Sequence, residues 1–180
     1  MNRNVSTVSP VAGIGAALPE PTGDQLVAEL CQLGLRYLSG ATPHDLEIRM
    51  TPAALLEGLA TSMEARLRAA LVPLFIWRPD LAPTAPLVAS QLPERARLVL
   101  ECSYSAAVAL QRQQSAQLAR LGCPVDVLTD YFAEVLGPTD TDNPMARLAE
   151  VAERHAQRSG EHINWLGTYI HSVDTFLRFA

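Results

Sequence analysis

The segment SMEARLRAALVPLFIWRPDLAP, from Ser62 to Pro83, limits the possible fold more than any other part of the chain. A short polar entry leads into Arg, Ala and Leu, and then into a run with almost no polar side chain. Arg78-Pro79 closes it, because a residue before proline resists helical angles. A helix with so dense an apolar face has to be covered by other elements. The rest of the chain supplies helices for that purpose. Ala and Leu, the strongest helix formers, dominate a composition that is 48% apolar and only 6% aromatic. The expected class is all-α, a compact bundle or short stack of seven to eight helices.

The run from Leu98 to Leu110 sets the centre of that stack. It is apolar nearly all round, broken by Glu101, and it predicts a buried central helix over about 93–121 that stops at Gly122. It is too short to span a bilayer, which takes about 20 residues. The continuation QRQQSAQLAR is polar and is expected to project toward solvent or a partner.

Around it, Asp24 is expected to cap a helix that runs to Leu38 and stops at Gly40. Thr51-Pro52 starts a second, with Thr as cap and Pro in the first turn. A third begins near Ser62 and should kink at Pro73. A short helix is expected over Thr84–Leu92, and another from Pro124 through Val127, Leu128, Tyr131, Phe132 and Leu136 to Gly137-Pro138. Asn143-Pro144 starts the next, stopped by Gly160, and the last covers Glu161 to Phe179. The segment 45–50 alternates too briefly to assign. Residues 1–22 are rich in Ser, Pro, Gly and Ala and read as a disordered tail, leaving 23–180 as a single helical domain.

All 14 basic residues are Arg, and the net charge is −5. That balance argues against broad binding to a phosphate backbone, so nucleic acid is not an expected partner. Cys31, Cys102 and Cys123 are odd in number and widely spaced, which suggests neither a disulfide framework nor a zinc site. They fit a reducing, cytoplasmic setting. The apolar stretch near the N-terminus is short and Gly/Ala-rich, unlike a signal peptide.

Two resemblances accompany this reading. The Ser62–Pro83 unit resembles the second helix of a HEAT-type repeat, which implies a short HEAT-like stack. No period near about 40 residues recurs along the chain, and true solenoids need about three repeats. The segments GLRYLSG (Gly34 to Gly40) and INWLGTY (Ile163 to Tyr169) resemble the bookends of a small bacterial helical family associated with genes for minimal nucleotidyltransferases. That resemblance implies a partner or antitoxin role.

The chemistry-bearing residues are few. His155, His162 and His171 lie seven and nine residues apart, unlike the i, i+4 pair of a helical metal site, and read as surface or interface residues. Arg154, Arg158 and His162 invite comparison with the helical HEPN ribonucleases, but that family's spacer falls between the two spacings found here. Glu101 must pair or shift its pKa if buried. Arg66, Arg68 and Arg97 are its expected partners; a ligand-binding carboxylate beside Pro73 and Tyr104 is the sharper alternative. GIGAA (Gly13 to Ala17) lacks the strand and the Gly-Lys-Ser/Thr of a phosphate loop. Asp140, Asp142 and Asn143 lack the glycine and terminal glutamate of a calcium loop.

No catalytic set, metal site or cofactor motif is expected from these residues. The leading expectation is a non-catalytic interaction or regulatory subunit that binds another protein or a second copy of itself, with no membrane partner. Its candidate interface is Trp77, Arg112, Asn164, Trp165 and Tyr169, since Trp and Tyr are favoured anchors. Trp165 and Tyr169 also read as core residues with polar tips at the domain edge. The alternatives are a ligand-binding bundle with Glu101 and Tyr104 in its pocket, and an RNA-directed enzyme or its antitoxin.

Overall fold

The computed structural model describes residues 21–38, 50–125, 128–137 and 142–180. The expectations for residues 1–20, for Gly40 and for 45–49 lie outside these. The described residues form helices and turns, with no strand among them. In chain order the helices are α1 (Gly23–Gln32), α2 (Pro52–Thr61), α3 (Ala65–Ala69), α4 (Leu71–Trp77), α5 (Ala85–Gln91), α6 (Glu94–Gln113), α7 (Ser115–Arg120), α8 (Ala133–Leu136), α9 (Pro144–Ser159) and α10 (Trp165–Phe179). Short 3₁₀ turns cover Arg36–Leu38 and Pro79–Thr84. Two pairs, α3–α4 and α6–α7, are rods broken at one residue, so the stack is the expected all-α bundle.

Local chemistry explains most boundaries. Thr51 accepts a hydrogen bond from the Ala54 N–H and Pro52 opens α2, as the sequence predicts. Asn143 Oδ1 accepts from the N–H groups of Met145 and Ala146 to start α9, and Gly160, at φ +68°, ends it. The α3–α4 rod breaks at Ala70. Pro73 then falls in the first turn of α4, where its missing N–H leaves no helical bond unmade.

Four expectations are corrected. Thr22, not Asp24, caps α1 through a reciprocal box with Gln25, so the helix begins at Gly23 and its cap is the last residue of the expected tail. α1 ends at Gln32 rather than Leu38, because Gly34 turns the chain at φ +101°. The last helix starts at Trp165 with Asn164 as its cap, after a non-helical 161–164. Among the described residues no helix grows from Pro124. Side chains of α6 bind the backbone there instead: Gln111 Nε2 donates to the Pro124 carbonyl, Leu128 N–H donates to Gln111 Oε1, and Tyr104 O–H donates to the Thr129 carbonyl. Of the described residues in this segment, Ala133–Leu136 alone coil. Gln111 is therefore buried, although it begins the stretch expected to face solvent.

Every residue from 98 to 110 is buried, and α6 is the axis on which α9, α4, α5, α2 and α10 pack. Burying each large apolar side chain contributes about 1.5–3 kcal/mol, so this helix and the faces that cover it form the main store of folding energy. Phe75 of α4 meets Tyr104 of α6 edge-on at 4.9 Å. Among the described residues no helix is long and apolar enough to cross a membrane.

Candidate functional site

The start of α10 builds the most distinctive local structure. Asn164 Oδ1 accepts from the Gly167 N–H at 2.9 Å, and the Asn164 amide lies so close to Gly167 that a Cβ there would meet its nitrogen at 2.7 Å. The glycine lets the cap close. The closed cap leaves Trp165 and Tyr169, four residues apart on one face of α10, turned toward His155 of α9. Trp165 stacks on His155 with ring centroids 3.6 Å apart and planes 12° apart. The Tyr169 hydroxyl lies 2.6 Å from His155 Nδ1. Burial holds the phenol protonated, well above its usual pKa. The hydroxyl and the neutral imidazole share this hydrogen bond, which either partner can donate.

His155 is 1% exposed. Burial, then the nearby charges of Arg68 and Arg158, push its pKa down to about 4, so the ring is neutral at pH 7. This corrects the surface reading of His155. It completes the buried stripe of Leu148, Val151 and Ala152 on α9, while His162 and His171 are exposed. The i, i+3, i+4, i+7 spacing of that stripe was the signal in the sequence.

Beside the stack lies a cavity of about 90 Å³, walled by Ala65 and Ala69 of α3, Val99 and Ser103 of α6, and Ile163, with Arg68 at its edge. Arg68 Nη1 donates to the Ser62 carbonyl at 2.7 Å, and among the described residues it forms no ion pair. The Trp165 indole N–H is buried, out of reach of a water-sized molecule, and among the described residues it has no acceptor. Arg68 and Val99 also line an adjoining cleft of about 230 Å³ that opens past Met63, Ala96 and Arg95.

Glu101 lies elsewhere on α6. Its carboxylate is 3.9 Å from Arg97 and 3.8 Å from Arg158. Arg97 was an expected partner; Arg158 arrives from α9 and was not. Burial raises the Glu101 pKa, against the pull of Arg158 and then Arg97. Tyr104 points toward the Thr129 carbonyl and stacks with Tyr131 at 5.6 Å. Neither residue, nor Pro73, lines the cavity described above, so the pocket expected beside Glu101 and Tyr104 gives way to one beside Trp165.

The five candidate interface residues do not share a face. Asn164, Trp165 and Tyr169 cluster at the start of α10, but Trp165 and Tyr169 are buried, which corrects their reading as docking anchors in favour of the core reading. Trp77 is half-buried. Its indole donates to the Leu33 carbonyl at 2.8 Å and its ring meets Phe176 of α10 at 5.7 Å. A Cβ at position 34 would meet that indole nitrogen at 2.7 Å. Trp77 thereby ties the turn that begins at Gly34 to the helix that begins at Trp165. Arg112 is exposed near the end of α6, about 13 Å of helical rise beyond Ser103. It lines a separate polar cleft with Asp130 and Arg147. Sequence reasoning missed Arg68 as a site residue, because only the packing of α3 against α10, far along the chain, brings it to a cavity that α6 and α9 also line.

No family model, curated protein or solved structure matches the chain, so its function has to be argued from this geometry alone.

Proposed function

We propose that the chain is a non-catalytic binding protein whose helical bundle holds a small ligand in the cavity beside Trp165. The observation that carries this reading is the cavity itself: it lies against the stacked rings of Trp165 and His155, and it is bordered by Arg68, which forms no ion pair among the described residues. The walls are apolar with a few convergent polar groups, as in small-molecule sites generally. The non-catalytic part is supported by the state of the titratable groups. His155 is neutral and engaged by Tyr169, and Glu101 is engaged by two arginines. A reducing, cytoplasmic setting belongs to the same proposal, supported by three unpaired cysteines.

Native mass spectrometry of the purified protein, with NMR of its two indole N–H signals during a fragment screen, tests the reading. A bound small molecule, or fragments that move the Trp165 signal saturably, is the expected result. An indole signal indifferent to every fragment, with no bound mass, overturns it.

A second reading, the interaction subunit, is favoured by the rim of the same site. Met63 is 87% exposed and Ile163 43% exposed there, and a protein partner would cover both. The net charge of −5 makes that partner a protein rather than a nucleic acid. Light scattering that finds a stable monomer with nothing copurifying counts against this second reading.

A further inference from the structure

Resting on the ligand-binding reading, we propose that the ligand is a small apolar monocarboxylate, its carboxylate held by Arg68 and its apolar part in the cavity.

Charge supplies the first argument. The cavity and the adjoining cleft are together lined by two arginines, Arg68 and Arg95, and by no acidic residue. Arg95 is bound to Glu161 at 2.7 Å, whereas Arg68 gives a hydrogen bond only to the Ser62 carbonyl and forms no ion pair among the described residues. A cationic ligand would face Arg68 with nothing to balance it.

Hydrogen-bonding capacity supplies the second. Arg68 carries five N–H donors and accepts nothing, and one of the five is given to the Ser62 carbonyl. The Ser103 and Thr168 hydroxyls that also line the cavity answer an alcohol and a carboxylate alike, so the guanidinium is the group that discriminates. A planar carboxylate fits its fork. An alcohol or amide would leave the charge of Arg68 unmet.

Size and polarity supply the third. The cavity, at about 90 Å³, is smaller than the roughly 150 Å³ that encloses benzene, so the apolar part is a short branched chain or a single ring reaching into the adjoining cleft. Ala65, Ala69, Val99 and Ile163 offer it no polar partner. One available guanidinium and these walls favour a single negative charge over the two of a phosphate.

The test is a titration of the full chain, followed through the Trp165 indole N–H by NMR at constant ionic strength. The probes are isovalerate and benzoate, against isoamyl alcohol, benzyl alcohol and isoamylamine. Trp165→Phe assigns the signal. The expected result is saturable binding of the acids at least ten-fold tighter than of the alcohols, with no binding of the amine. Arg68→Gln should weaken the acids at least ten-fold and leave the alcohols unchanged. Arg68→Lys, which keeps the charge but not the fork, should fall between. Acids and alcohols binding equally, or the amine binding best, overturns the monocarboxylate but leaves a ligand site. No saturable shift with any probe overturns both.

Discussion

The two flanks of α6 draw on similar residue types and finish in opposite states. On the flank facing residues 123–132, polar side chains of the core meet partners. Tyr104 O–H reaches the Thr129 carbonyl at 2.8 Å, Ser105 O–H reaches Asp130 at 2.6 Å, and Gln111 bonds both the Pro124 carbonyl and the Leu128 N–H at 3.2 Å. Arg147 of α9 adds a bond to the same Asp130 at 3.0 Å. On the flank facing α3, α9 and α10, the Trp165 N–H is buried without an acceptor, and Arg68 has charge to spare. A satisfied buried network stiffens one structure, whereas a buried group left open is a cost to it. The first flank holds an irregular segment in place; the second holds room.

Breaking the satisfied flank should have the largest effect. Gln111→Leu leaves the Pro124 carbonyl and the Leu128 N–H unpaired, and is expected to cost about 3 kcal/mol in urea unfolding. A cost below about 1 kcal/mol would erase the contrast between the flanks.

Acid should come next, acting through His155 on the other flank. Its pKa is lowered from the ordinary 6.5 to about 4 by burial and by Arg68 and Arg158. The unfolded chain therefore takes up a proton on this residue before the folded one does. The stabilisation is complete above about pH 6.5 and is lost as pH falls toward 4, by roughly 2–3 kcal/mol. Glu101 works the other way. Its folded pKa is raised, so the folded form protonates first and gains stability as pH falls into that range, offsetting part of the loss. Unfolding free energies across pH 7 to 4 check the sign. His155→Gln should flatten the profile, and an unchanged slope in that variant would assign the acid sensitivity to another group.

Tyr104→Phe, which removes one hydroxyl and leaves the ring packed against Phe75, should cost about 1 kcal/mol. The smallest expected change in stability is that of Arg68→Gln, about 0.5 kcal/mol or less, because the side chain is half-buried and pairs with no carboxylate among the described residues. The same substitution should raise the His155 pKa in an NMR titration, since one of the two charges that lower it is gone. A large stability loss without that rise would make Arg68 a scaffold residue.

Much of the architecture could be read before folding was considered. The Leu98–Leu110 run, with no polar face to offer water, is buried at every residue. Thr51-Pro52, Asn143-Pro144 and Gly160 mark helix ends that the structure repeats. The site was harder to read. INWLGTY stood out, but its logic is a cap at Asn164, a glycine that makes room for it, and two aromatic rings laid on a histidine from another helix. The helix expected from Pro124 failed for a related reason. Its local signals were sound, but Gln111 and Tyr104 claimed the backbone groups that a helix would have used.

The amino-acid order alone determined where most helices begin and end and which of them lies at the centre. Those outcomes depend on caps, prolines, glycines and apolar spacing within a few residues. Only tertiary packing decided which polar side chains found partners: Arg158 with Glu101, Gln111 with the Pro124 segment, His155 with Tyr169, and no acceptor for the Trp165 N–H. Each of those outcomes joins groups far apart in the chain, and a hydrogen bond depends on placement to within a fraction of an ångström, which spacing along a helix does not specify.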